Sequence, residues 1–292
     1  MRHPNESRLH GNGVELALFE WPGDGPAVFF AHATGFHARC WDQVVGHLPG
    51  AHCFALDMRG HGRSEKPEPP YAWRDFGRDV VEVCKQIGLA GAVGVGHSKG
   101  GYAVTMAAGI EPGIFSQLLL VDPVIMQPEN YGRIMAGEHF AARRRNEWAS
   151  IDEMESRFSG REPFSRWEPA VLHDYVEYGL LPNPKGEGFV LACPPRIEAA
   201  VYAASGGESI YDAIADVQIP VRILRARQRQ TEDIVTDMSG SPTWKDLHTK
   251  FANAEDVYLP QYSHFMPMED PGFVAAQVQE LRERAAGSSV RA

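Results

Sequence analysis

Short apolar runs alternate with amphipathic stretches through the first 125 positions. Residues 14–20 alternate apolar and polar side chains, the two-residue period of a half-buried strand. Residues 27–31 (AVFFA) are wholly apolar, as a strand buried on both faces should be. Residues 52–56, 92–95 and 118–121 repeat that character. Between them the period changes. Residues 41–48 have helical spacing, and residues 75–87 place Phe76, Val80, Val81 and Val83 on one stripe. A further helix is predicted over 101–109. Strands separated by helices predict a parallel α/β sheet.

From residue 126 to about 216 the strand signal fades. This stretch carries a basic cluster at 143–145, the aromatics Trp148, Phe158, Phe164, Trp167, Tyr175 and Tyr178, and prolines at 182, 184, 194 and 195. It reads as a helical insertion lying over the sheet. The α/β rhythm returns at 219–226. A helix is expected over 242–251 with Ser241 as its N-cap, a strand over 257–259 and a last helix over 271–285.

The chain has 292 residues, enough for a large core or a core plus a cap. Apolar residues make up 43 %, which excludes a disordered chain. A net charge of −10 argues against nucleic acid or an anionic membrane surface as partner. No apolar run approaches the roughly 20 residues of a membrane span. Residues 1–14 are polar and hold no apolar signal core, so a cytoplasmic location is expected. Cys40, Cys53, Cys84 and Cys193 are scattered without a CxxC pair and read as buried free thiols in a reducing compartment. No His, Cys and carboxylate cluster has metal-ligand spacing, and neither metal nor cofactor is expected.

The chemistry concentrates at Gly96-His97-Ser98-Lys99-Gly100-Gly101, directly after the predicted strand 92–95. Gly-x-Ser-x-Gly between a strand and a helix puts a serine on a tight, strained turn at a helix N-terminus. There the hydroxyl is presented to solvent, and backbone N–H groups favour developing negative charge. A serine attacks carbonyls poorly without a base. Of the twelve histidines, His264 lies between the predicted strand 257–259 and the last helix and is the candidate. His97 reads as packing beneath the turn, and His173 and His248 as solvated helix faces. The loop His32-Ala33-Thr34-Gly35-Phe36 follows the strand 27–31 and can supply one oxyanion donor, the N–H of Thr34. The N–H of Lys99, the residue after the serine, supplies the other. The Lys99 side chain either points to solvent or caps structure, or it reaches an anionic part of a substrate. Asp57 and Arg59 read as charges that tie together the loop after strand 52–56.

With these segments in place the sequence resembles the α/β-hydrolase family. The carriers are HATGFHARCW (32–41), DMRGHGRS (57–64), GHSKGG (96–101) and HFMPMEDP (264–271), in the family's order and spacing across nearly the whole chain. The resemblance implies a mostly parallel eight-stranded sheet flanked by helices, a helical cap after the sixth strand, and a Ser–acid–His triad. The domains it implies are a core of residues 1–125 and 217–292 and a cap of 126–216. Two departures stand out. Ala33 replaces the second residue of the family's His-Gly pair, and no carboxylate stands at the family's usual place after the seventh strand. The acid is therefore Asp122, after the sixth strand, or Glu232 or Asp233 on a longer loop, with Asp237 behind them.

A serine at the turn disfavours epoxide hydrolysis and dehalogenation, which use a carboxylate there. The expected activity is hydrolysis of a small to medium carboxylic ester or lactone through an acyl-enzyme, with the aromatic cap as the apolar pocket. Carbon–carbon or amide bond hydrolysis, and a ligand-binding protein of the same fold with little turnover, stay open. The partner is a small-molecule substrate. Self-association into a homo-oligomer is left open.

Overall fold

The chain is described by a computed structural model covering residues 2–132, 139–229 and 239–289. Its strands, in chain order, are β1 (Asn5–Gly11), β2 (Val14–Trp21), β3 (Asp24–Ala31), β4 (Ala51–Asp57), β5 (Ala92–His97), β6 (Phe115–Val121), β7 (Glu147–Trp148), β8 (Leu180–Pro182), β9 (Phe189–Leu191), β10 (Val221–Ala226) and β11 (Ala254–Leu259). The helices are α1 (Asp42–Gly46), α2 (Trp73–Gln86), α3 (Lys99–Ile110), α4 (Ile151–Ser159), α5 (Pro169–Gly179), α6 (Pro195–Ala203), α7 (Tyr211–Asp216), α8 (Met266–Glu269) and α9 (Pro271–Ser289).

Eight strands form one sheet in the order β1-β2-β4-β3-β5-β6-β10-β11. β1 and β2, and β2 and β4, pair antiparallel; the remaining neighbours are parallel. The apolar run of β3 is explained by its two faces. Phe29 and Ala31 pack with Phe76 and Val80 of α2 and Met106 of α3. Val28 and Phe30 turn the other way, onto Val44 and Val45 of α1 and Val274 and Val278 of α9. Helices thus cover both faces, which is what a parallel sheet requires. Helix α9 opens with Pro271, and the Asp270 carboxylate accepts the Phe273 N–H at 2.8 Å as its N-cap.

One element escapes the apolar pattern, and one expectation needs correction. Residues 5–11 form an edge strand that the apolar pattern does not show, because its side chains are almost all exposed. Residues 242–251 do not form a helix; only Leu247–Lys250 makes a 3-10 turn. The donors of this stretch point back to the end of β6 instead. The N–H of Trp244 bonds the Ile125 carbonyl at 3.1 Å, and the Thr243 hydroxyl bonds that of Pro123 at 2.7 Å.

Between β6 and β10 lie α4 to α7. With them is a small antiparallel sheet, β7-β9-β8, absent from the expected helical insertion. Strands of two and three residues are too short to show a period. Trp148, Met154, Trp167, Val171 and Tyr175 of this segment form a third apolar cluster with Phe36 and Phe265, which sit on loops after β3 and β11. No helix among the described residues is long and apolar enough to cross a membrane.

Candidate active site

Ser98 stands between β5 and α3 with φ 57° and ψ −119°, a left-handed backbone that a non-glycine residue rarely holds. The glycines beside it leave no space for a side chain. A Cβ on Gly96 would sit 2.3 Å from the Gly100 carbonyl oxygen, and one on Gly100 would sit 2.0 Å from that of Ala31. The turn therefore presses against β3, and the Ser98 side chain is what it exposes, to the extent of 5 %.

His264 lies on the loop between β11 and α8. Its backbone is pinned on both sides: its N–H bonds the Ser239 carbonyl at 2.8 Å, and its own carbonyl accepts from His97 Nε2 at 2.7 Å. His97 does pack beneath the turn, its ring 5.0 Å from that of His264, and burial pushes its pKa well down. The His264 ring reaches Ser98 Oγ through Nε2 at 3.0 Å and Asp122 Oδ2 through Nδ1 at 2.6 Å. The loop is braced by Glu269, whose carboxylate accepts from the Ser263 N–H at 3.0 Å and hydroxyl at 2.6 Å.

Asp122 follows β6, also left-handed, with φ 44°, and is fully buried. Its Oδ1 accepts from the Ala226 N–H at 3.0 Å and the Ser241 hydroxyl at 2.5 Å, and the Thr243 hydroxyl, whose proton the Pro123 carbonyl takes at 2.7 Å, lies 3.2 Å away. A buried carboxylate needs such donors. Ser241 was not singled out for this; its offset after β10 carries no motif. The structure thus brings Ser98, His264 and Asp122 into one hydrogen-bonded chain. Glu232, Asp233 and Asp237 lie outside the described residues.

Thr34 is buried at the end of the loop after β3. The loop is fixed by His32, whose Nδ1 lies 2.8 Å from the Ala33 carbonyl and whose Nε2 accepts the Met58 N–H at 3.0 Å. Lys99 opens α3, so its N–H is one of the first-turn donors without an intrahelical carbonyl. Its side chain does neither of the two things expected. It is fully buried, with Nζ 4.0 Å over the Phe76 ring and 3.7 Å from Met58 Sδ, and burial pushes its pKa down to about 7. Asp57 and Arg59 do tie down their loop, each with its own partners. Asp57 accepts the N–H groups of Ala38 at 2.6 Å and Arg63 at 2.7 Å, and Arg59 grips Asp79 at 2.5 and 2.6 Å.

A cavity of about 680 Å³ opens beside this chain. Thr34, Phe36, Ser239 and Phe265 line it from the core, and Phe164, Trp167 and Tyr175 from the segment between β6 and β10. The basic cluster at 143–145 is split: Arg144 and its partner Glu198 line the cavity, Arg143 is exposed, and Arg145 pairs with Glu153. Among the described residues no three His, Cys, Asp or Glu side chains gather as a metal-binding group.

Comparison with known proteins bears on the fold and the family. The chain is 36 % identical over 117 residues to a non-heme chloroperoxidase of Streptomyces lividans, a match spanning 39 % of this chain and 42 % of that relative. It is 29 % identical over 251 residues to a 2-(acetamidomethylene)succinate hydrolase of Mesorhizobium japonicum, spanning 82 % of this chain and 84 % of that one. The solved structure of an E-2-(acetamidomethylene)succinate hydrolase superposes with a TM-score of 0.75 at 20 % identity, covering 95 % of this chain and 98 % of the other, and shows the same fold. Residues 28–277 match the alpha/beta hydrolase family, and the chain belongs to it.

Proposed function

We propose that the protein is a serine hydrolase that cleaves a small to medium carboxylic ester or lactone through an acyl-enzyme. The observation that carries this reading is the unbroken chain from Ser98 Oγ to His264 Nε2 at 3.0 Å and from His264 Nδ1 to Asp122 Oδ2 at 2.6 Å. Ser98 Oγ attacks the carbonyl carbon while its proton passes to His264 Nε2. Asp122 holds the imidazole tautomer and stabilises the cation. The oxyanion is held by the N–H groups of Thr34 and Lys99, the latter strengthened by the start of α3. The imidazolium then protonates the leaving alkoxide. Water, deprotonated by His264, attacks the acyl-enzyme and releases the acid and Ser98.

Residues 126–216 act in this reading as a cap on a core of 1–125 and 217–292, and the aromatic cavity beneath receives the acyl or alcohol part. The four cysteines are free and buried, which fits a reducing cytoplasm. Amide hydrolysis is the second reading. It is favoured by the 29 % identity, over 82 % of this chain, to a relative named for hydrolysis of an acetamido compound.

The test is labelling with a fluorophosphonate together with turnover of 4-nitrophenyl esters of rising chain length. The label is expected on Ser98 and absent in Ser98→Ala, with ester turnover lost in the same variant. Ester hydrolysis that survives Ser98→Ala refutes the reading. Labelling without ester turnover, but with release of amine from N-acyl substrates, shifts it to the amide.

A further inference from the structure

Resting on the hydrolase reading above, we propose that Arg144 anchors a carboxylate carried by the substrate, so that the substrates are acids that also contain the scissile ester or amide. The cavity walls are mostly aromatic, and Arg144 stands among them. Its guanidinium is held by two contacts: Nη1 to Glu198 Oε2 at 2.5 Å and Nη2 to the Tyr175 hydroxyl at 3.0 Å. A guanidinium has five N–H donors, so these contacts leave most of the fork unengaged.

The contrast with three other shielded arginines is direct. Arg39 binds Asp42, Arg59 binds Asp79, and Arg225 binds Asp256, each through two nitrogens of one fork. Those pairs close on themselves. Among the described residues Arg144 meets Glu198 by one nitrogen and Tyr175 by another, which leaves N–H donors of the guanidinium for a further planar acceptor.

Its position suits an anchor. A Cβ on Gly35 would sit 2.7 Å from Glu198 Oε1 and 3.4 Å from Arg144 Nη1. The pair therefore abuts the backbone immediately after Thr34, beside the proposed oxyanion donor. In this proposal one small molecule places its carboxylate on Arg144 and its carbonyl at Ser98. The other charges lining the cavity, Glu162 and Arg166, are exposed and of opposite sign, and Arg166 Nε already lies 3.1 Å from Glu269. Glu198 is 4 % exposed, and burial raises its pKa against the lowering pull of Arg144.

The experiment compares 4-nitrophenyl hydrogen glutarate with the neutral 4-nitrophenyl pentanoate on the full chain. Wild type is expected to favour the anionic ester in kcat/KM by about tenfold or more, the worth of charge-assisted hydrogen bonds. Arg144→Gln alone would strand the Glu198 carboxylate, so the working variant is Arg144→Gln/Glu198→Gln, with folding checked by circular dichroism. The anionic-to-neutral ratio is expected to fall about 10- to 100-fold in it. Arg144→Lys, which keeps the charge and loses the fork, is expected to fall between, and exposed Arg143→Gln to leave the ratio where it was. A wild-type ratio of one or less, or an equal loss on both esters in the double variant, overturns the proposal and makes the pair a strut between the cap elements. A calorimetric arm uses monomethyl glutarate with Ser98→Ala protein, with and without the two glutamine changes. Binding that depends on Arg144 without ester turnover in wild type leaves the anchor standing and refutes the esterase reading. Ester turnover with no such binding does the reverse.

Discussion

Replacing Lys99 with methionine is expected to make the protein more stable at neutral pH, and the size of the gain follows from where the ammonium sits. The side chain is fully buried, and its Nζ has the face of Phe76 at 4.0 Å and Met58 Sδ at 3.7 Å. Burial is the main reason its pKa falls from 10.5 to about 7, against smaller opposing pulls from Cys193, Asp79 and Asp57. A base that is less basic folded than unfolded works against folding wherever the unfolded chain holds its proton. The penalty is full below about pH 7, shrinks as pH rises towards 10.5, and is gone above that. The fall from 10.5 to about 7 corresponds to roughly 5 kcal/mol, released at about 1.4 kcal/mol per pH unit. Methionine fills a similar elongated space without the charge. The assay is urea unfolding of wild type and Lys99→Met, followed by tryptophan fluorescence at several pH values from 6 to 10. Subtracting the two curves cancels every titrating group they share. The methionine variant is expected to lead by several kcal/mol at pH 6–7 and to lose about 1.4 kcal/mol of that lead per pH unit from there. A difference that stays flat from pH 7 to 10, or a variant less stable than wild type at pH 7, refutes the reasoning.

Gly100→Ala places a methyl 2.0 Å from the Ala31 carbonyl oxygen, so β3 and α3 must part; a loss of about 3 kcal/mol or more, or failure to yield folded protein, is expected in denaturant titration. Asp79→Ala leaves Arg59 shielded and without its fork partner, and chemical unfolding should register a loss of about 3–5 kcal/mol. Ser241→Ala removes a close hydroxyl donor from Asp122, and ester kcat should fall by roughly fivefold, with little change in KM. Asp122→Asn, which disturbs the imidazole tautomer, should lower kcat by about 10⁴-fold while circular dichroism stays native.

The parts of this molecule legible from its sequence are those set by local rules. The strand 27–31 had to be buried on both faces, and β3 is. The serine turn announced itself because only glycine fits at positions 96 and 100, a constraint written in the residues themselves. His264 was found by its place between a strand and the last helix. The carboxylate was harder. A carboxylate after β6 and one after β10 look alike in sequence, since both strands end at the same edge of the sheet. What distinguishes Asp122 is its donors Ala226 and Ser241, more than a hundred positions downstream. The same long-range demand overrides the local signal at 242–251, where Ser241 predicts a helix cap and its hydroxyl instead bonds Asp122. The burial of the Lys99 side chain and the place of Arg144 at the cavity are not legible for a related reason. Charged side chains are ordinarily assigned to solvent, and only the packed structure shows one lying over Phe76 and the other facing an aromatic cavity.

Ser98 and Asp122 each begin one residue beyond a paired position, His97 opposite Val121, on neighbouring parallel strands. Their separation is therefore inherited from the spacing of adjacent strands, about 4.8 Å, and not from any loop length. Hydroxyl and carboxylate thus stand at the ends of two paired strands, and under the proposed function substitutions in the segment between β6 and β10 can reshape the cavity wall without moving them. Laboratory evolution of this scaffold towards new substrates should accordingly find its tolerant positions in residues 126–216, and meet a wall at the last turn of β5 and β6.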